Sequence, residues 1–305
     1  MTRRRYVVTG CQGQVVTSLK ERVADRPDIE LVALGRPELD LSDPLTIDVA
    51  IASARPDLLI SAAAYTAVDQ AEDDQAGAMA VNGVAPGKIG EVAARLGVPV
   101  IHLSTDYVFD GSKARSYIED DIAEPVSVYG TSKLFGERAL AAATSDHVIL
   151  RTAWVFSPFG RNFVRTMLRL ATTRSCLSVV DDQIGNPTSA LDLADGILAV
   201  ADNLLTSRRP ECRGLFHMVA AGEATWADVA VEIFRLSAER GGPSPQVERI
   251  PTSAFPTAAR RPANSRLDCS KLAACHDVQL PDWRTGLASV VARLLETKKL
   301  GAKSC

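Results

Sequence analysis

A tyrosine and a lysine four positions apart are the residues of this chain whose types and spacing suggest catalysis. Tyr129 and Lys133 are joined by Gly-Thr-Ser, and a spacing of four puts both side chains on one face of a helix. Hydride reduction of a ketone leaves an alkoxide that must be protonated, and a tyrosine hydroxyl can deliver that proton. A nearby ammonium group stabilises the phenolate and lowers the tyrosine pKa, which is about 10 in a free side chain. The pair therefore predicts reduction of a carbonyl group.

A hydroxyl group at the end of a predicted strand could complete this site. Thr105 follows Ser104 at the end of an apolar run. A threonine in that position can hydrogen-bond the carbonyl oxygen of the substrate, as in an oxyanion-type site. A tyrosine and a lysine at this spacing also occur together by chance on exposed helices. The catalytic interpretation therefore depends on Thr105 and on a cofactor loop near the N-terminus.

That loop, Gly10-Cys11-Gln12-Gly13-Gln14-Val15, lies between the first predicted strand and the first predicted helix. Glycines there let the backbone approach a pyrophosphate, and the helix N-terminus offers free N–H groups to it. Val16 stands where a third glycine is usual, which we expect to shift the helix slightly without removing an N–H donor. The loop predicts dinucleotide binding, and a tight strand-to-helix turn is the simpler alternative.

The end of the second predicted strand bears on the choice of cofactor. An acidic residue there would accept hydrogen bonds from the ribose 2′-hydroxyl, but this chain has Gly35-Arg36. A guanidinium group suits a 2′-phosphate, so Arg36 favours NADPH over NADH, unless it is only a solvated surface arginine. NADH remains the alternative cofactor. Asp40 and Leu41 follow, and we expect them to contact the adenine side.

The elements that must position these residues alternate regularly through the first half of the chain. Short apolar runs predict strands at 6–9, 30–34, 58–61, 98–104 and 147–151, with helical patterns between them. Pro44 marks the start of one helix, and Gly97 marks the end of another. This alternation predicts an α/β fold, a Rossmann-type doubly wound parallel sheet with a smaller substrate-binding α+β lobe.

The second half of the chain is less regular, with prolines and glycines at uneven intervals. Amphipathic patterns predict helices at 191–205, 226–238 and 283–295. We expect an NAD(P)-binding domain over residues 1–155, to which a later part at about 189–220 returns. Residues 156–305 would form mainly the substrate-binding lobe.

Composition excludes several other classes of protein. The 305 residues are 46% hydrophobic and 23% charged, with a net charge of −3 and no long block of like charge, so neither a nucleic-acid nor a membrane partner is supported. The basic residues Arg3, Arg4 and Arg5 precede an apolar run that is too short for a signal peptide or a membrane span, which predicts a cytoplasmic protein. The six cysteines lack paired spacing, which argues against a disulfide framework or a structural metal.

In these features the chain resembles the dTDP-4-dehydrorhamnose reductases, a family of the extended short-chain dehydrogenase/reductase superfamily. The resemblance extends nearly from end to end. Besides the stretches already quoted, it rests on five segments: Ala62-Ala63-Ala64-Tyr65-Thr66-Ala67-Val68-Asp69, Arg151-Thr152-Ala153-Trp154-Val155-Phe156, Asn162-Phe163-Val164-Arg165-Thr166-Met167-Leu168, Asp181-Asp182-Gln183-Ile184-Gly185-Asn186-Pro187-Thr188 and Arg261-Pro262-Ala263-Asn264-Ser265-Arg266-Leu267.

The resemblance implies NADPH-dependent reduction of the 4-keto group of a nucleotide sugar, dTDP-4-dehydro-L-rhamnose, to give dTDP-L-rhamnose. It makes Tyr129 the proton donor, Lys133 its partner and Thr105 the hydroxyl that orients the carbonyl. Implied cofactor contacts are Ala63, Ala64, Tyr65 and Thr66. Implied substrate contacts, in addition to Thr105 and Tyr129, are Val68, Asp106, Trp154, Arg261 and Arg266. From chemistry alone, the tryptophan could equally be a core aromatic and the two arginines surface residues in a turn.

Two other functions remain open within this resemblance. One is a binding subunit that has lost catalysis, which the presence of Thr105, Tyr129 and Lys133 disfavours. The other is a nucleotide-sugar epimerase or dehydratase, which uses the same tyrosine and lysine but keeps its cofactor bound. Turnover of free NADPH separates the three.

Some relatives are dimers bridged by Mg²⁺ through glutamates, and this chain differs at the positions that we align with them. Ser18, Leu191 and Arg293 stand there, and none of them supplies a carboxylate ligand. We therefore expect no bound metal, and either a monomer or a metal-independent homodimer.

Overall fold

The structure is a computed structural model that describes residues 3–302, with side chains described for residues 3–296; Cys305 lies outside the described residues. The strands are β1 (Arg4–Thr9), β2 (Ile29–Leu34), β3 (Leu58–Ser61), β4 (Val100–Thr105), β5 (His147–Thr152), β6 (Val155–Phe156), β7 (Cys176–Val180), β8 (Ile184–Gly185), β9 (Thr188–Ser189), β10 (Gly214–His217), β11 (Ala220–Ala221), β12 (Ala224–Thr225), β13 (Gln246–Ile250) and β14 (Leu280–Asp282). The helices are α1 (Gln14–Val23), α2 (Pro44–Ala54), α3 (Gln75–Ala78), α4 (Ala85–Leu96), α5 (Val128–Ala143), α6 (Phe163–Leu170), α7 (Ala190–Thr206), α8 (Trp226–Ala238), α9 (Ser270–His276) and α10 (Trp283–Ala302).

The main sheet is parallel, with the strand order β2-β1-β3-β4-β5-β10. Strand β2 pairs with one edge of β1, and the chain then crosses over so that β3 pairs with the other edge. Ligands of such sheets bind at the carboxyl ends of the strands where the direction of winding changes. The Rossmann-type fold class predicted from the sequence is confirmed.

Two helix ends follow the local chemistry of the sequence. The Asp43 side chain accepts a hydrogen bond of 3.0 Å from the Leu45 N–H, and Pro44 occupies the first position of α2. Gly97 ends α4 with a φ of +67°, a conformation that favours glycine. A π-helical turn, Met79–Val84, joins α3 to α4.

Part of the second half of the chain joins the main sheet. Strand β10 pairs with β5 in parallel register, and α7 packs against α1. The Tyr6 hydroxyl on β1 lies 3.1 Å from the Asp202 carboxylate on α7. Smaller pairings, β7 with β13 and β8 with β12, lie outside the main sheet. The boundary between a cofactor domain and a substrate lobe remains a prediction.

Helices cover both faces of the main sheet. One apolar core contains Tyr6 on β1, Ile197 on α7 and Trp283 on α10, which are all fully or almost fully buried. A second core on the other face contains Ile47 on α2 and Ile89 on α4. Among the described residues, no helix combines the length and the apolar character that crossing a membrane requires.

Candidate active site

A cavity of about 690 Å³ lies at the carboxyl ends of β1, β3, β4 and β5. Most of the residues that the sequence predicted for the site line it: Gly10, Gln12, Gly13, Gln14, Val15, Ala63, Ala64, Thr66, Val68, Thr105, Asp106, Tyr129, Lys133 and Trp154. Other lining residues were not predicted, among them Tyr107, Asn162 and Trp226. Chain segments that are far apart in sequence therefore meet at one cavity, as the sheet order requires.

The glycine loop has the backbone geometry that a phosphate group needs. Gly10 has a φ of +96°, and a Cβ atom added to it would lie 3.3 Å from the Ala63 Cβ. Gly13 caps α1 without a side-chain hydrogen bond, and a Cβ added there meets nothing within 4 Å. Because the first N–H groups of a helix have no partner within it, this open end of α1 fits a dinucleotide pyrophosphate.

The Gln14 side chain ties the glycine loop to the segment after β6. Its amide oxygen accepts hydrogen bonds from the Ser157 hydroxyl at 2.8 Å and from the Asn162 side-chain amide at 2.9 Å. The two partners lie near the start of α6, in the half of the chain expected to bind substrate. Gln14 thus links the cofactor loop to the substrate side of the cavity.

The segment after β3 is held by one buried asparagine. Asn82, in the π-helical turn, accepts a hydrogen bond from the Tyr65 N–H at 2.8 Å and donates to the Tyr65 carbonyl oxygen at 3.0 Å. The Asn82 amide also donates to the Ser132 hydroxyl on α5 at 3.1 Å. This arrangement fixes the backbone next to Ala64 and Thr66. The Tyr65 side chain itself lies outside the cavity lining.

Helix α5 approaches the end of β4 closely enough to place Tyr129 beside Thr105. The Ser127 side chain caps the helix by accepting a hydrogen bond from the Gly130 N–H at 3.2 Å. A Cβ added to Gly130 would lie 2.1 Å from the Tyr107 carbonyl oxygen, so only glycine permits this contact. The Tyr129 ring packs edge-on against that of Tyr107, with centroids 6.0 Å apart.

The Tyr129 hydroxyl is protonated at neutral pH in this environment. The pKa of Tyr129 is not lowered by the nearby lysine, as the sequence had predicted: burial raises it to about 12, and a hydrogen bond to the Thr105 side chain acts in the opposite direction. A protonated phenol is the form that can give a proton to a reduced carbonyl oxygen. The Thr105 hydroxyl lies 3.0 Å from the Asp106 carboxylate, and burial raises the pKa of Asp106 to about 7.

Lys133 lines the cavity and is otherwise almost completely buried. Its Nζ donates to the Leu103 carbonyl oxygen at 2.6 Å and lies 3.4 Å from the His102 Nε2. The other ring nitrogen of His102 lies 3.0 Å from the Ser61 hydroxyl. Burial lowers the pKa of Lys133 to about 8, and the negative charge of Glu137 opposes this effect. The lysine is therefore mainly an ammonium ion at neutral pH.

Two stacked tryptophans form a wall of the cavity. The Trp154 and Trp226 rings are nearly parallel, with centroids 3.6 Å apart. Trp154 has a φ of +47°, and a Cβ added to Gly185 would lie 2.6 Å from its indole ring. Trp154 was predicted from the sequence but Trp226 was not, because the place of Trp226 at the start of α8 gives no indication of which residues it contacts.

A second cavity, of about 740 Å³, shares Trp226 with the first. Its walls combine apolar side chains of α6 and β7 with two arginines, Arg174 and Arg261. The Arg261 guanidinium pairs with the Asp69 carboxylate at 2.7 Å and is half-buried. This cavity therefore offers both an apolar surface and positive charge to a ligand that extends from the first.

Four other predicted site residues lie outside the lining of both cavities. Arg36 is exposed, and Asp40 accepts hydrogen bonds from Ser42. Leu41 is buried in the core between the sheet and α2. Arg266 pairs with the Glu223 carboxylate at 2.9 Å and donates to the Ala114 carbonyl oxygen. Ligand contacts by these four residues remain predictions.

The three positions aligned with metal-binding glutamates have other contacts. Ser18 is buried and donates to the Gln14 carbonyl oxygen at 2.9 Å, and Leu191 is buried. The Arg293 guanidinium pairs with Glu21 at 2.8 Å. Within the described part of the chain, no group of three or more histidine, cysteine, aspartate or glutamate side chains is placed to hold a metal ion.

A parallel sheet with a glycine loop between β1 and α1, with Thr105 at the end of β4 and with Tyr129 and Lys133 on the adjacent helix α5, is the arrangement of a nicotinamide-dependent oxidoreductase of the short-chain dehydrogenase/reductase type. A family model described as RmlD substrate binding domain matches residues 4–296. The chain belongs to the dTDP-4-dehydrorhamnose reductase family, as the sequence resemblance predicted.

Individual relatives agree with this assignment. The chain is 48% identical over 295 residues to a dTDP-4-dehydrorhamnose reductase of Sinorhizobium fredii. The aligned region covers 96% of this chain and 99% of the relative. A crystal structure of a dTDP-4-dehydrorhamnose reductase from Clostridium acetobutylicum is similar with a TM-score of 0.88 and 33% identity, over 95% of this chain and 99% of that one. A Bacillus anthracis enzyme of the same name, crystallised in complex with NADP, is similar with a TM-score of 0.88 and 30% identity, over 96% of this chain and 100% of that one.

Proposed function

We propose that this protein reduces the 4-keto group of dTDP-4-dehydro-L-rhamnose with NADPH and so forms dTDP-L-rhamnose. The observation that carries the proposal is the meeting of Thr105, Tyr129 and Lys133 at the cavity that also contains the glycine loop. A chain that only bound the cofactor would not need a buried tyrosine and lysine there. The names of the relatives supply the identity of the sugar and the nucleotide.

The cofactor would lie along the carboxyl ends of β1 and β3. The open N–H groups at Gly13 and the start of α1 would bind its pyrophosphate, and the segment from Ala63 to Thr66 would line its path. Lys133 would reach the nicotinamide ribose, and the exposed Arg36 would meet the 2′-phosphate. When bound, NADPH supplies the hydride that adds to the keto carbon.

The chain's own residues would then supply the proton that the reduced carbonyl oxygen needs. The Thr105 and Tyr129 hydroxyls would hydrogen-bond the 4-keto oxygen, and Tyr129 would pass its proton to that oxygen as the new C–H bond forms. The Lys133 ammonium would stabilise the phenolate that remains. This requires a tyrosine that is protonated before the reaction, in agreement with the raised pKa of Tyr129.

The substrate would extend across both cavities. Its sugar ring would contact Val68, Asp106 and the wall formed by Trp154, in the cavity that contains Tyr129. The base and the pyrophosphate would occupy the second cavity, where the apolar walls suit a base and Arg261 suits a phosphate. The contacts of Arg266 with Glu223 and the backbone favour a supporting role for that arginine.

We also propose the division into an NAD(P)-binding domain over residues 1–155 and a mainly substrate-binding lobe over 156–305. The pairing of β10 with β5 supports the return of the part near 189–220 to the first domain. A cytoplasmic location, the absence of nucleic-acid and membrane partners, and a monomer or metal-independent homodimer remain predictions from composition and chemistry.

The experiment that tests this function follows NADPH oxidation by the purified protein with a panel of dTDP-linked and UDP-linked 4-ketosugars. We expect consumption of free NADPH with the dTDP-linked 4-keto-6-deoxysugar and a lower rate with the UDP-linked one. An epimerase or dehydratase would convert sugar without consuming free NADPH. A non-catalytic binding subunit would bind NADPH and leave every sugar unchanged.

A further inference from the structure

A buried ion pair lies behind the catalytic residues and takes no part in the mechanism described above. Glu137 on α5 and Arg151 on β5 make two hydrogen bonds, from Nε at 2.9 Å and from Nη2 at 2.7 Å. The side chains are only 6% and 4% exposed, respectively. The Ser104 hydroxyl on β4 donates to the same carboxylate. One carboxylate therefore joins α5 to two neighbouring strands of the main sheet.

The position of Glu137 relates it to the catalytic residues. Three successive residues of β4 contact three side chains of α5 that lie on one face of the helix. The Leu103 carbonyl accepts from Lys133, the Ser104 hydroxyl donates to Glu137, and the Thr105 side chain lies next to Tyr129 at the cavity. Glu137 lies one helical turn beyond Lys133, so its charge and its contacts act on the lysine.

We infer that Glu137 is a positioning residue for the reduction: held by Ser104 and Arg151, it fixes α5 against β4 and places a negative charge beside Lys133. This inference rests on the proposed function, because it assigns Lys133 and Tyr129 to proton transfer. A buried ion pair by itself is weak evidence of stabilisation, since apolar residues of similar volume often serve as well. Because stability does not require a charge at this position, we assign the negative charge of Glu137 a role in the reaction.

Other charged groups near Lys133 do not supply this negative charge. His102, on β4, is buried beside the lysine, and its pKa lies well below the usual range because burial disfavours the charged ring. Asp106, at the end of β4, has a pKa raised by burial to about 7, so it is ionised on the alkaline limb, but its charge acts on Tyr129 and not on Lys133. Tyr129, on α5, is a neutral phenol. Arg151, on β5, holds Glu137 on its other side.

The test is the pH profile of NADPH-dependent reduction by Glu137→Gln. Reduction requires that Lys133 and Tyr129 keep their protons, and removal of a nearby negative charge makes loss of a proton from either group easier. We expect the alkaline limb of the kcat/KM profile to move to lower pH by about half a unit or more. We also expect kcat to fall while the KM for NADPH changes little.

Because glutamine leaves the Arg151 guanidinium buried without its counter-charge, the double variant Glu137→Gln/Arg151→Met is measured beside the single one. It removes both charges and should fold, and its alkaline limb should move in the same direction. The matched control is Asp146→Asn, which breaks the pair between Arg213 and Asp146, 3.0 Å apart, at the other end of β5. Its alkaline limb should match that of the wild type.

The outcomes separate this inference from the proposed function. If the wild type is active and the Glu137 variant folds and has the same pH profile of kcat/KM, the inference is wrong. The proposed function is then unaffected. A shift of equal size in Asp146→Asn also overturns it, because the effect would then be a general consequence of a broken ion pair. A wild-type protein that does not oxidise NADPH with any 4-ketosugar overturns the proposed function, and the inference falls with it.

Discussion

Lys133 donates a hydrogen bond of 2.6 Å from Nζ to the carbonyl oxygen of Leu103, two residues before Thr105 on the same strand. The ammonium group of the site and its threonine hydroxyl are therefore positioned by one stretch of β4. An ammonium group has three N–H donors, and the same Nζ lies 3.4 Å from the His102 Nε2, within reach of a second donor. We expect the third to reach the cofactor ribose when the cofactor binds.

The first prediction concerns the pH dependence of the wild-type enzyme. Burial lowers the pKa of Lys133 to about 8, below that of a free lysine, so the ammonium form is lost as pH rises through that value. Reduction needs the ammonium form, so we expect kcat/KM to fall with increasing pH above about 8. Initial rates in buffers of constant ionic strength measure this, and a rate that keeps rising across that range would contradict the prediction.

The second prediction concerns Asn82, whose side chain holds both backbone groups of Tyr65. Asn82→Ala leaves these partly buried groups without their partner and loosens the segment that lines the cofactor path. We expect the KM for NADPH to rise roughly 5- to 150-fold, from a loss of about 1–3 kcal/mol. The control is Asn203→Ala, which removes a hydrogen bond of 2.8 Å to the His276 carbonyl far from the cavity. Equal KM values in the two variants would refute the role of Asn82.

The third prediction concerns the choice between NADPH and NADH. Arg36 follows the end of β2, where a guanidinium would meet the 2′-phosphate. Arg36→Ala should weaken NADPH binding by about 1–3 kcal/mol and leave NADH binding nearly unchanged. Arg208→Ala removes the same charge from an exposed position after α7 and serves as the control. Titration of both cofactors by protein fluorescence measures the effect. Equal weakening of both cofactors, or a wild-type preference for NADH, argues against it.

The fourth prediction is that activity does not depend on a divalent metal. Ser18 is a weak neutral ligand, Leu191 has no donor atom, and the positive charge of Arg293 repels a cation. We expect full activity in EDTA and the same mass in solution with and without Mg²⁺. Light scattering during gel filtration decides the second point, and a dimer that forms only with metal would show that the alignment of these positions is wrong.

Much of this fold could be predicted from the sequence, because its signals are local. The strand predicted at 58–61 is β3, and the helix predicted at 226–238 is α8, with the same bounds. A parallel sheet with buried strands gives apolar runs that are easy to recognise. Tyr129 and Lys133 share a face because of helical periodicity alone, and the strand order then brings them to the glycine loop.

Other parts of the site depend on contacts between distant segments and could not be predicted. From the sequence alone, Glu137 is an ordinary residue of a helix surface. Only the packing of α5 against β5 brings it to Arg151. Trp226 lies 72 positions after its stacking partner Trp154, and nothing local connects them. Leu41 was expected near the adenine, and the structure buries it in the core, to which an apolar side chain at that position is also suited; its contact with the adenine remains a prediction.

The measurement that tests the central claim most directly compares the wild type with Tyr129→Phe in one assay of NADPH consumed and 4-hydroxysugar formed. The wild type should consume NADPH and form the reduced sugar in equal amounts. Tyr129→Phe should keep its fold and bind NADPH, because phenylalanine fills the same buried space, but turnover should fall on the order of 10²-fold or more. Turnover within a few-fold of the wild type would contradict Tyr129 as the proton donor, and a wild type that forms no reduced sugar would contradict the account as a whole.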